Sequence, residues 1–340
     1  MKHNPPFAPL TLFILSLLTT VGSLTPVHAS GRRPLANVTY VPSTGQIEYF
    51  LRKGPERPFR VLFLADLHFT VEDRRGLPYI DYTRRMGGSA VEPENYGRTN
   101  GRESGLLSAL EQARTDSVDL VILGGDILNF PSQASVEWIT RTMDSSGLEW
   151  CYIAGNHDWH YEGEPGKADD QRDRWTRSNL APLYQGADPM GYSRVVNGVN
   201  FLMIDNSTNE ILPQQLALLK RELRRGLPIV LCVHVPLYMP GTNIDYSCGS
   251  PEWNQANDIY YEIERREPWP AEGHTATTYE FCRTIWESPQ VIGILAGHTH
   301  EQAIGFRNDN PQFVPAAAYQ GATLRLHFQP APTRQPAPAR

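Results

Sequence analysis

The 340-residue chain has only four cysteines, none spaced as C-x-x-C, so it carries no thiolate metal-ligand pattern. Cys151 and Cys232 each fall inside an apolar, strand-like run and are expected to be buried thiols. Cys248 and Cys282 lie in a more polar segment, where an exported protein could pair them if their Cα atoms came within ~4.4–6.8 Å. Positive charge is also in deficit. With a formal charge of -6, the chain has no general attraction for nucleic acid, whose affinity comes mostly from phosphate neutralisation by Lys and Arg. The clusters Arg74–Arg75, Arg84–Arg85 and Arg224–Arg225 read as solvated faces. No internal repeat is present, and no apolar run beyond residue 29 reaches the ~20 residues that span a bilayer.

The amino terminus is the exception. Lys2 supplies a positive end, Leu10 to Leu24 is nearly uninterrupted apolar or small, and "VHAS" offers a cleavage position after Ala29. Residues 1–29 are therefore expected to be a secretory signal peptide, too short for a retained anchor, which makes the protein secreted or periplasmic. Its removal deletes Lys2 and no acidic residue, taking the formal charge from -6 to -7. Residues 30–58 read as a Pro- and Gly-spaced leader, 59–330 as the folded domain, and 331–340 as a disordered Pro/Ala tail.

Within the domain, strands and helices alternate. "FRVLFLA" (Phe59 to Ala65) reads as a buried strand, Leu106, Leu107, Leu110 and Ala113 have helical spacing, and "DLVILGG" (Asp119 to Gly125) is a second strand. A helix through Val136, Ile139 and Met143 leads to the strand "EWCYIAG" (Glu149 to Gly155). A hairpin then turns at Asn197–Gly198. Pro213 suits a first helical position, with Leu216, Leu219 and Leu223 on one face, before the strand Pro228 to His234. A last helix around Tyr279 to Trp286 precedes Val291 to Gly297. This alternation predicts an α/β sandwich, and the hairpin makes its β-sheets mixed. Two excursions, Phe69 to Asn100 and Pro236 to Thr278, break the rhythm and are expected to wall a site.

Chemistry gathers at the strand ends. Asp66 and His68 follow the first strand, Asp126 the second, and Asn156, His157 and Asp158 the third; His234 closes the next, and His298 and His300 the last. In open α/β sheets ligands bind at that edge, where loops converge on rigid roots. One strand-end histidine is ordinarily structural, but five strands ending this way point to a shared site. Asp, Asn and His without thiolate suit Mn, Fe, Zn or Ni. Two such ions, divalent or trivalent and ~3.5–4 Å apart, need a bridging carboxylate, and together they can drive an in-line displacement at phosphorus. Asp126, behind Gly124 and Gly125, is the natural bridge.

The ordered blocks "DLH", "GGD", "GNHD", "CVH" and "GHTH" resemble the calcineurin-like metallophosphoesterases across residues 59 to about 330. The resemblance implies two β-sheets flanked by helices, a small-molecule phosphate ester as substrate, and a metal-bound hydroxide as nucleophile. It implies one metal on Asp66, His68, Asp126 and His300, and a second on Asp126, Asn156, His234 and His298. His157 would protonate the leaving alkoxide, with Asp158 orienting it. Because residues two apart on a straight strand share a face, His298 and His300 can serve different ions only if the backbone bends, expected at Gly297.

This chain also departs from the family. "GDILN" ends in Asn129 where an acidic residue is common; purple acid phosphatases carry Tyr there and lack the His of "DLH", so a purple ferric centre is not expected. "ENYGRTNGRESGLLSAL" is similar to a segment of acid sphingomyelinase-like phosphodiesterases, without their cysteines, which tilts the expectation from monoester to diester. A non-catalytic metal-binding module and a nuclease, the latter using Arg84, Arg85, Arg98 and Arg102 as a phosphate rim, are the competing readings. Among the remaining polar residues, His160 is a weaker substrate-contact candidate. His274 in "EGHTATT" imitates the last block without its second histidine, while His327, Tyr192 and Tyr238 read as packing residues.

Overall fold

The computed structural model describes residues 35–241, 248–254, 256 and 271–332. The expected signal peptide, most of the expected Pro/Ala tail and part of the second excursion lie outside these residues.

Two six-stranded sheets face each other. The first contains β1 (Ala36–Val41), β2 (Gln46–Leu51), β3 (Phe59–Leu64), β4 (Leu120–Leu123), β5 (Trp150–Tyr152) and β12 (Leu324–Pro330). The second contains β6 (Gly191–Val196), β7 (Val199–Ile204), β8 (Ile229–Cys232), β9 (Val291–Leu295), β10 (Ala303–Arg307) and β11 (Asn310–Val314). Their orders are β1-β2-β12-β3-β4-β5 and β10-β11-β9-β8-β7-β6. Parallel strands form the heart of each, three in the first sheet (β3-β4-β5) and four in the second (β7-β8-β9-β11), and antiparallel pairs make both sheets mixed.

The strand alternation decides the layers. In β3, Val61 and Phe63 enter the core between the sheets with Phe201, Met203 and Val230 of the second sheet. Leu62 and Leu64 face outward onto α2 (Glu103–Thr115) and α3 (Gln133–Ser146), through Leu106, Leu110, Val136, Ile139 and Met143. On the far side α5 (Pro213–Arg224) and α6 (Ala276–Glu287) cover the second sheet with Leu219, Phe281 and Ile285. Helices thus flank a sandwich of two mixed sheets, as expected. Pro213 opens α5, and Asn197–Gly198 (φ 45° and 81°) makes the β6–β7 turn with both central residues left-handed, as a tight I′ hairpin requires. Leu107 departs from its helical set, being 48% exposed. The shorter α1 (Ile80–Gly87) and α4 (Ala168–Arg177) lie in connections whose sequence lacks a clear apolar stripe.

The leader is corrected by the structure. Residues 36–51 are not an appendage but a hairpin of the first sheet, with β2 in parallel register beside β12. The reason is the period-two pattern of "QIEYFL", which drives Ile47, Tyr49 and Leu51 into the core between the sheets. Tyr49 stacks on Phe328 at 4.5 Å between centroids. All four cysteines are buried and free. Cys248 and Cys282 do come together, but as thiols, with Cys282 Sγ donating to the Cys248 carbonyl at 3.5 Å.

Ile47 is fully buried, so Ile47→Ala should cost ~2–5 kcal/mol of stability in a urea titration. A change within ~0.5 kcal/mol would place the hairpin outside the cooperative fold.

Candidate dinuclear metal site

Where the parallel strands end, the backbone turns sharply. Asp66 (φ 59°), His68 (φ 48°), Asp126 (φ 50°), His298 (φ 75°) and His300 (φ 58°) all adopt the left-handed region. Each such residue costs on the order of 1–3 kcal/mol, a cost that persists only when the surroundings over-determine the conformation. Here they do. Asp66 N donates to the Gly125 carbonyl at 3.0 Å and His68 N to the Asp126 carbonyl at 2.8 Å. The Asp66 carboxylate accepts from His298 N at 3.0 Å and the Asp126 carboxylate from His157 N at 2.8 Å.

The bend in "GHTH" is made by the two histidines themselves and not by Gly297. That glycine is needed for room instead: a Cβ there would lie 2.6 Å from Ala65 Cβ and 2.7 Å from Asp66 Oδ2. Gly125 does both jobs, with φ 94° and space for a Cβ only 2.4 Å from His234 Nδ1.

Two groups of donor atoms result, each with members within 4.8 Å of one another: Asp66, His68, Asp126 and His300, and Asp126, His234 and His298. Asp126 belongs to both, and the two "GHTH" histidines are divided between them. Asn156 supplies a buried amide oxygen that accepts no hydrogen bond, and His234 Nε2 is likewise buried without one. Because His234 Nδ1 donates to the Gly124 carbonyl at 3.0 Å, Nε2 is the nitrogen left to bind an ion, and when protonated it pairs with Asp126 Oδ2 at 3.2 Å. His68 Nε2 and His300 Nε2 meet at 2.9 Å, one of them donating to the other, so both ring nitrogens converge on the same point beside Asp66 and Asp126. Convergent ligand atoms, an unsatisfied amide oxygen and backbone-held imidazoles fit a pair of bound metal ions. Asn206, at the end of β7, was not among the expected site residues; its Oδ1 accepts from His234 N and Val235 N and holds that loop.

The local charges agree. Burial opposes protonation of His234, but Asp126 and Asp66 outweigh it and push the imidazole up to about 10. Asp66 likewise raises His300 against its burial. Burial and the neighbouring His157 hold His68 well below its ordinary value. Asp126 is held well below the usual carboxylate range, burial being overcome by His234 and His157.

His157 stands edge-on to His68 with centroids 4.5 Å apart. Asp158 does not orient it. The buried Asp158 carboxylate accepts from Leu128 N and Gly155 N, both at 2.7 Å, and so ties the second block to the third. Burial and the nearby Asp126 raise its pKa to about 7. The contact to His157 Nδ1 comes from the Asn129 carbonyl at 3.2 Å, while the Asn129 side chain turns away to the Met86 carbonyl.

His160 is buried beside Trp159. His274 bonds Glu210 and accepts from Gly249 N, pinning the second excursion, and His327 pairs with Glu48 across β12 and β2. Tyr192 bridges the Tyr152 backbone. The arginine rim is not assembled: Arg84 pairs with Glu92, Arg85 reaches the Glu162 carbonyl and Arg98 reaches Asn95.

Strand-end carboxylates, amide and imidazoles around two adjacent ion positions define a dinuclear metal hydrolase. The chain matches the family model of calcineurin-like phosphoesterases over residues 59–302 and belongs to that family. It is therefore a metallophosphoesterase, a hydrolase of phosphoric ester bonds. No curated protein matches it significantly. Similar solved structures include a dimetal phosphatase from Danio rerio, 12% identical over 79% of this chain and 92% of that one, with a TM-score of 0.49. Another is the phosphopantetheinyl hydrolase of Mycobacterium tuberculosis, 11% identical over 82% of this chain and 98% of that one, with a TM-score of 0.36.

A histidine must be neutral to bind metal. Loading metal-free protein near pH 7 should therefore release protons, His234 contributing because it is protonated up to about 10, and the ions should be shed as the pH falls. Calorimetry in buffers of different ionisation enthalpy reads that release, and none would overturn this account of the site. His298→Ala and His300→Ala should each remove about one metal equivalent by elemental analysis, and retention of both ions in either variant counts against the division.

Proposed function

We propose that the protein is an exported phosphodiesterase whose site holds two ions through Asp66, His68, Asp126 and His300, and through Asp126, Asn156, His234 and His298. When bound, the ions supply activation of water and neutralisation of charge at phosphorus. The observation that carries the catalytic part is His157. A carbonyl can only accept, so the contact to Asn129 keeps a proton on His157 Nδ1 and leaves Nε2 for the substrate. A second proton on Nε2 lets the ring donate to the departing ester oxygen. Asp158 supports this indirectly, by tying Gly155, in the loop that carries His157, to Leu128, which precedes Asn129 in the neighbouring loop.

Preference for a diester is supported by the walls. Asn100 donates to the His68 carbonyl at 2.9 Å and Tyr319 lies 5.7 Å from His300, centroid to centroid, so both the excursion and the strand connection border the site, and the diester reading takes them as the side a second ester arm would meet. A nuclease is less well supported, because Arg84 is committed to an ion pair and the chain is acidic. Export rests on Lys2, the apolar run after it and the small residues before Ser30. Among the described residues no helix is long and apolar enough to cross a membrane.

His157→Ala should lower kcat by ~10²–10⁴-fold with metal content unchanged. Equal, negligible hydrolysis by wild type and variant across a broad ester panel would favour a binding module. On matched chromogenic substrates with Mn²⁺, higher kcat/KM for the diester is expected, and monoester preference would reverse the assignment.

A further inference from the structure

The first excursion rejoins the sheet edge at Asn100, whose side-chain amide donates to the His68 carbonyl and whose N–H donates to the Thr70 carbonyl at 2.9 Å. Asn100 Oδ1 accepts in turn from Arg102 N at 3.3 Å. α2 starts at the next residue, and its first turn presses on the connection between β11 and β12. A Cβ at Gly105 would lie 2.3 Å from the Ala318 carbonyl oxygen, so only glycine permits that approach. Ala318 N donates to the Ala65 carbonyl at 2.9 Å and Tyr319 N to the Asp66 carbonyl at 3.4 Å. Both sides of the contact are thus keyed to the loop that carries Asp66 and His68. The outcome is an Arg102 guanidinium 4.3 Å from the centre of the Tyr319 ring. That ring lies 5.7 Å from His300 and 6.2 Å from His68, centroid to centroid.

The fold has no use for a cation here. Arg102 is the N-cap of α2 and caps nothing with its side chain, at the helix end where the dipole disfavours positive charge. Among the described residues no carboxylate pairs with its guanidinium. Neighbouring Glu103 instead accepts from the Thr99 hydroxyl. The adjacent centre becomes positive when it holds its ions, which further repels Arg102 until an anion lies between them.

We infer that Arg102, carried on the Tyr319 ring, is a specificity-determining residue that takes a non-bridging oxygen of the substrate phosphoryl group beside the metal centre. This deepens the phosphoesterase reading and rests on it. The guanidinium fork can meet a phosphoryl oxygen pair edge-on, while the aromatic face holds its plane; an ammonium offers a point charge instead. Asn100 and Tyr319 act as positioning residues.

The test uses the metal-loaded protein with bis(p-nitrophenyl) phosphate as substrate and orthophosphate as a non-reacting anion. Arg102→Gln should raise KM and the orthophosphate Kd by roughly 10- to 100-fold, the span of a lost hydrogen bond to a charged group. kcat should change far less, and two metal equivalents should remain. Arg102→Lys should recover part of the loss, Tyr319→Phe nearly all of the wild-type behaviour, and Tyr319→Leu should resemble Arg102→Gln. Unchanged KM and orthophosphate affinity in fully loaded Arg102→Gln would overturn the inference while leaving the hydrolytic reading intact. Arg102-dependent orthophosphate binding without diester hydrolysis would support the subsite and overturn the diester reading instead.

Discussion

Two carboxylates with almost no solvent contact, Asp66 and Asp126, sit where the carboxyl edges of the two sheets meet. An ionised group so placed is tolerated only when it is paired and hydrogen-bonded. The loops around them are arranged to do this: His298 N and His157 N donate to the carboxylates, and His234 and His300 stand within reach of their oxygens. The left-handed turns at the donor residues follow from the same need. An extended path would carry each side chain past the seam, whereas a single left-handed residue folds the chain back over it.

The seam also joins the two halves of the sandwich. Asp66, His68, Asp126 and Asn156 come from the first sheet, and His234, His298 and His300 from the second. Each ion position draws on both. Any ion held there crosslinks the sheets at the edge opposite their chain reversals, so sheet docking and metal affinity are one coupled quantity. The inner core aligns the two edges, since Phe63 precedes Asp66 and Cys232 precedes His234 in the same buried layer. A repacking there would move ligands without touching them.

Legibility followed periodicity and punctuation. The parallel strands were readable because each is a short apolar run ending in polar residues, and the ligands because their types recur at those ends. The hairpin of residues 36–51 is hard to read although Ile47, Tyr49 and Leu51 alternate, because the surrounding proline and glycine weigh against a strand. β10 and β11 carried a weaker signal, Asn308 and Asp309 with φ 50° and 69°, a tight turn between short strands. The partner of His157 was not readable at all: it is the backbone oxygen of Asn129, and a carbonyl leaves no mark on residue identity.

The walls of the site show the same limit more sharply. Arg84, Arg85, Arg98 and Arg102 are chemically equivalent in the sequence, and their different fates are set by groups elsewhere. Glu92, eight residues on, takes Arg84 into an ion pair. Tyr319, from the opposite end of the domain, holds Arg102 beside the ligands. Ligand identity is a local property of strand ends, whereas substrate choice arises from long-range contacts between segments with no period of their own. Two carboxylates against two ions of at least double charge leave a positive centre, and a guanidinium kept beside it makes the loaded site most stable when an anion is present. The arrangement that costs the metal-loaded, anion-free site electrostatically is therefore the one that would favour a phosphate ester within it.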